Sequence, residues 1–151
     1  MLHESIVSGI HFMSVMVLFS ALVAQHLLFT PRVSRETLRL LILLDAIYWA
    51  AALLVLASGL LKALYWGAGA DYYLGNSVFH TKMTLFALVI LLSTWPTAGF
   101  LRARRQVAGP AANAFIALPS NIRSLQRIEL LCVLLMPLLA AFMARGFGAA
   151  G

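Results

Sequence analysis

Four predominantly apolar runs, each of about 20 residues or more, occupy most of this 151-residue chain, and a helix of that length crosses a hydrocarbon core of about 30 Å. Inside such a core every backbone N–H and C=O must be satisfied within the protein, which leaves helices or a closed barrel as the spanning solutions. The runs are too long and too continuously apolar for barrel strands. The sequence therefore predicts an all-α integral membrane four-helix bundle, a single transmembrane domain over 1–151, with spans at about Ile6–Phe29, Leu38–Leu61, Val78–Leu101 and Ile122–Ala144. Composition agrees, since 62% of residues are apolar and 11% charged, outside the range of soluble domains.

The connections carry their own signals. Thr30-Pro31 ends the first run ahead of Arg32, Arg35, Glu36 and Arg39. The stretch from Trp66 to Asn76, with three glycines and three aromatics, suits a loop resting at the lipid headgroups. Gly109, Pro110 and Pro119 mark the third connection, where Ser120 and Asn121 are good helix caps, and Pro137 is expected to kink the last span. The first run lacks the basic leader of a cleaved signal peptide and is expected to stay as a helix.

Lys and Arg accumulate on the cytoplasmic side of short loops. Loops one and three share Arg32, Arg35, Arg39, Arg102, Arg104, Arg105, Arg123 and Arg127, against Lys62, Lys82 and Arg145 on the other side. Loops one and three are thus expected in the cytoplasm, with both termini on the non-cytoplasmic side. The net charge of +6 follows this topology, and no basic stripe interleaved with aromatics points to nucleic acid. Cys132 stands alone, so neither an internal disulfide nor a paired-cysteine metal site can form. Phosphate-loop, serine-elbow and zinc-helix motifs are missing as well.

Polar side chains inside spans are costly and frequently functional. Here they are His11, Gln25, His26, Asp45, His80, Lys82 and Glu129. His11 and His80 fall at similar depth near the non-cytoplasmic ends of spans one and three. Two imidazoles at one depth are what axial ligation of haem b requires. His26 follows His11 by fifteen residues, about 22 Å deeper and only about 60° around the helix. It shares the cytoplasmic half with Asp45 and Glu129, an inner cluster suited to proton exchange. Either carboxyl could instead be structural, paired with Arg39 or Arg127 or hydrogen-bonded to a neighbouring helix. Lys82 lies about 200° around the helix from His80, so the two address different sides. Met13, Met16, Met83 and Met143 add soft donors that would suit copper beside His11 and His80. Ala57-Ser58-Gly59 is a small-residue stretch of the kind that lets helices approach closely.

Several stretches together resemble a family of bacterial four-span membrane proteins of unknown function: His11-Phe12, Gln25-His26-Leu27-Leu28, Leu44-Asp45-Ala46-Ile47-Tyr48, Tyr72-Tyr73-Leu74-Gly75-Asn76, Phe79-His80-Thr81-Lys82 and Met143-Ala144-Arg145-Gly146. The resemblance covers nearly the whole chain and implies a multi-pass protein of the bacterial inner membrane. More distantly, His11 with Phe79-His80-Thr81-Lys82 is similar to the HemJ-type membrane protoporphyrinogen oxidases, which bind haem b. That likeness implies His11 as a haem ligand and Lys82 as a functional residue near a tetrapyrrole or redox partner. Those oxidases carry an Asn-Glu-x-Pro-like pattern in the last span, of which only Glu129 has a counterpart here. Copper-resistance membrane proteins share the same general look. The expectation is a haem b redox protein, an oxidase or electron carrier linked to quinone or tetrapyrrole chemistry. In it His11 and His80 hold the iron, while Lys82, His26, Asp45 and Glu129 act in chemistry and proton exchange. The alternatives are a copper-handling protein and a non-catalytic subunit of a larger membrane complex or homo-oligomer.

Overall fold

The computed structural model describes residues 2–66, 69–106 and 115–148. Gly67 and Ala68 of the second loop and Gly109 and Pro110 of the third lie outside the described residues. Four helices are long and apolar enough to cross a membrane: α1 (Leu2–Leu28), α2 (Arg35–Leu61, prolonged by a π-type turn over Lys62–Trp66), α4 (Ser77–Gln106) and α5 (Ile122–Ala144). They match the four expected spans. A short helix, α3 (Ala70–Leu74), interrupts the aromatic loop.

Helix α2 packs most extensively on α1, and α5 on α4, while contacts of α1 with α5 and of α2 with α4 close the bundle. Small residues line the α1–α2 approach. A side-chain carbon added at Gly59 would lie 3.3 Å from Cε1 of His11, so the glycine admits that ring. Ser34 caps α2 through its hydroxyl, which accepts from the Thr37 amide at 3.1 Å. Asn121 does occupy the cap position of α5, but its side chain makes no capping bond.

Each end of the bundle is fastened by a link between loops. At the arginine-rich end, β1 (Arg32–Val33) pairs antiparallel with β2 (Ile116–Ala117), in register Arg32↔Ala117 and Val33↔Ile116. The Leu118 amide adds a bond to the Pro31 carbonyl at 3.0 Å. Loops one and three therefore share one side. At the opposite end Asn76, fully buried, caps α4 by accepting from the amides of Val78 (2.9 Å) and Phe79 (3.2 Å). Its Nδ2 donates to the Phe147 carbonyl at 3.2 Å, and the Ser77 amide bonds the Gly148 carbonyl at 3.0 Å. Gly148 has φ +80°, and a Cβ there would fall 2.7 Å from Val78 and 2.9 Å from Asn76, so only glycine lets the tail dock.

The interior has two apolar cores. One, in the middle of the bundle, gathers Leu18, Leu22, Tyr48, Ala52, Val89 and Val133. The second sits toward the arginine-rich end and includes Phe29, Leu38, Leu41, Phe100, Leu118 and Ile122. On all four long helices a polar group interrupts the succession from one core to the other: Gln25 between Leu22 and Phe29, Asp45 between Leu41 and Tyr48, Thr97 before Phe100, and Gln126 with Glu129 beyond Ile122. Lipid gives helices no hydrophobic reason to associate, so close packing and interhelical hydrogen bonds must hold them together. This polar layer is therefore an assembly element as well as a candidate site.

Candidate functional site

Helical spacing puts the layer's members on inward faces. Gln126 and Glu129 are three residues apart on α5, and Ser93 and Thr97 four apart on α4, so each pair shares a face. Gln126 Nε2 donates to Gln25 Oε1 and Gln25 Nε2 to Asp45 Oδ1, both at 3.4 Å. The Thr97 hydroxyl faces Asp45 Oδ1 at 3.1 Å and the Ser93 carbonyl at 2.9 Å, and its single proton is shared between them. Indole Nε1 of Trp49 donates to the same hydroxyl at 2.9 Å. The Tyr48 hydroxyl meets Ser93 Oγ at 2.6 Å, and that oxygen in turn bonds the Val89 carbonyl at 2.7 Å. The row runs across α5, α1, α2 and α4. Pro96, buried inside α4, removes one amide donor in this region, and the Thr97 hydroxyl serves a nearby carbonyl.

Glu129 stands beside the row, near Ser93 and Asp45, and is 1% exposed. Its Oε1 has no hydrogen-bond partner, nor have Gln126 Oε1 and His26 Nδ1. His26 is half-buried at the arginine-rich end of α1, close to Gln126, Arg123 and Arg127. The structure thus brings His26, Asp45 and Glu129 into one neighbourhood, connected through glutamines. Of the structural alternatives for the carboxyls, the interhelical hydrogen bond forms at Asp45, to Gln25 and Thr97, whereas Arg39 and Arg127 are exposed and Asp45 bonds only neutral donors. Sequence reading missed Gln126, Ser93, Thr97 and Tyr48. Their signal was helical phase, since Gln126 shares a face with Glu129 and the two α4 hydroxyls share one with each other.

The histidines near the termini are held differently. His11 Nδ1 bonds Ser58 Oγ on α2 at 3.0 Å. The Ala57-Ser58-Gly59 stretch therefore serves contact within the chain, by seating this ring. His80 is exposed, with Nε2 bonded to the Leu74 carbonyl at 2.8 Å. No bond, shared partner or ring contact joins His11 to His80. His11 thus meets α2 through Ser58, while His80 meets the end of α3 through the Leu74 carbonyl. Lys82, on the other side of α4, is half-buried. The two residues do address different sides of α4, the lysine half-buried and the histidine exposed. Among the described residues no group of three or more His, Cys, Asp or Glu could hold a metal ion. Met13 and Met16 are 62% and 64% exposed.

Neither a curated protein nor a solved structure matches the chain. Residues 3–148 match the family model described as Predicted membrane protein (DUF2214), and since that match spans nearly the whole sequence, the chain belongs to this family of membrane proteins.

Proposed function

We propose that this chain is a membrane-embedded proton-transfer protein in which Asp45 and Glu129 exchange protons with the arginine-rich side through Gln126 and His26. One observation carries the reading: Glu129 is 1% exposed, lies inside a membrane-spanning helix, and leaves Oε1 without a partner. An ionised carboxylate in such surroundings costs several kcal/mol, so any charge there is tied to the movement of a proton. Neutral glutamine and hydroxyl neighbours relay hydrogen bonds without adding charge. On the positive-inside rule the arginine-rich side is the cytoplasm of a bacterial inner membrane, with both termini outside.

The path opens to one side. Beyond Glu129 the central core of Leu18, Leu22, Val89 and Val133 is apolar, which suits delivery of protons to a membrane reaction or cargo and opposes free conduction. This keeps the proton half of the redox expectation. Its haem b and copper halves draw no support from His11 and His80 as they stand.

The test is a pH-jump infrared difference spectrum of the full chain in proteoliposomes. A buried-carboxyl C=O band responds and disappears in Glu129→Gln, while the vesicles remain as proton-tight as empty ones. A wild-type spectrum in which no buried carboxyl responds at any pH would sink the proposal.

A further inference from the structure

A groove of about 430 Å³ runs along α4 at the arginine-rich end, and no side chain of the polar layer lines it. Its volume falls within the range of about 300–1,000 Å³ typical of ligand clefts. Ala98 and Gly99 keep the α4 side of the groove low, and Ala117 of β2 and Pro119 line it from the other side. A Cβ at Gly99 would fall 3.0 Å from Ile122 Cδ1 and 3.7 Å from Pro119, so the glycine lets the β2–α5 connection close against α4. Trp95, 55% exposed, borders the deeper end, and Arg102 stands toward the other.

The extent of the groove matches one leaflet. It reaches from Thr94 to Gln106, about 18 Å of helix, against about 15 Å for half of the hydrocarbon core. Arg102 lies about 12 Å along α4 from Thr94, so the slot is apolar at depth and cationic where headgroups begin. The ladder brings a second cation to the rim. Arg32 pairs with Ala117, and both are exposed while Val33 and Ile116 are buried, so Arg32 shares the face of the ladder that borders the groove. The chain itself supplies no nearby counter-charge. From Tyr72 to Ile128 the sequence contains neither Asp nor Glu, and Glu36, the exposed acid at this end, belongs to α2, which contributes nothing to the groove. An apolar slot under a cationic mouth complements an amphipathic anion. Guanidinium groups take phosphate oxygens in bidentate fashion, and basic pockets beside membrane helices seat anionic headgroups.

We propose that this groove binds one anionic glycerophospholipid, with an acyl chain against Trp95, Ala98 and Gly99 and the phosphate held by Arg102 and Arg32. The full chain in detergent micelles is offered equal amounts of phosphatidylglycerol and phosphatidylcholine and weighed intact by native mass spectrometry. The wild type retains one phosphatidylglycerol in preference. Arg102→Gln lowers that affinity about tenfold, as loss of a charge-assisted contact requires. Ala98→Phe fills the groove without touching a charge and lowers it at least as much. Arg104→Gln, about 200° around α4 from Arg102, leaves it unchanged. Arg102 is exposed and Ala98 half-buried, so both variants keep the fold, which their thermal midpoints check; should one unfold, the other decides. Equal retention of the two lipids, equal weakening by Arg102→Gln and Arg104→Gln, or wild-type binding by a well-folded Ala98→Phe overturns the site. So does a dimer that Ala98→Phe dissociates, since a second copy would then fill the groove.

Discussion

Replacing Glu129 by leucine separates a carboxyl kept for function from one kept for structure. The side chain is 1% exposed and Oε1 has no hydrogen-bond partner. An orphaned buried polar atom costs about 1–3 kcal/mol. Against this, the substitution forfeits the contact with Ser93, worth about 0.6 kcal/mol on average for an interhelical hydrogen bond in a membrane. Ser93 itself is not stranded, because its hydroxyl still bonds the Val89 carbonyl at 2.7 Å and meets Tyr48 at 2.6 Å. Leucine has a similar volume and joins Cys132 and Val133 of the central core. The balance is a Glu129→Leu protein more stable by about 1–2 kcal/mol, with the pH-dependent carboxyl band abolished. Reversible unfolding in mixed micelles, followed by far-UV circular dichroism, measures the first. A loss of 1 kcal/mol or more would refute the reasoning, because it would make Glu129 a structural member of the polar layer.

Two further outcomes follow from the ends of the bundle. Asn76→Ala deletes the α4 cap and the tether to Phe147, and should cost about 2 kcal/mol, with faster hydrogen exchange at the Val78 and Phe79 amides. Unchanged exchange there would show that the tail holds without it. Reporter fusions at the C-terminus should read non-cytoplasmic and a reporter placed after Gln106 cytoplasmic, a sidedness that the reverse result would invert.

The spans were legible because membrane crossing is written in length and hydropathy, both local properties. Their bounds moved by only a few residues, and the largest extension, at the end of α4, takes in Arg102, Arg104 and Arg105, whose long side chains reach the interface from a helix that continues past the hydrocarbon. The inner cluster was legible in its charged members for a similar reason, since a carboxyl in an apolar run stands out. Its hydroxyl and amide members were not, because Ser93, Thr97 and Gln126 look unremarkable until helical phase and the opposing helix are known. The loop ladder between Arg32–Val33 and Ile116–Ala117 was invisible. Two residues per strand carry no periodicity, and their pairing depends on contacts more than 80 residues apart.

At the termini end the depth of His11 and His80 was legible in the sequence, but a side chain's azimuth decides what it meets, and depth does not carry it. The Leu74 carbonyl takes the His80 ring and Ser58 takes that of His11. The result is a bundle with opposite chemistry at its two levels. Acids among neutral donors lie toward the arginine-rich end, His11, Lys62 and Lys82 lie toward the termini, and the central apolar core separates the two levels. On the proton-transfer reading proposed above, a proton reaching Glu129 meets the apolar central core next. Work done with it must take place at the level of that carboxyl, which directs the search for a substrate or partner to the lipid-facing sides of α4 and α5 near Ser93 and Glu129.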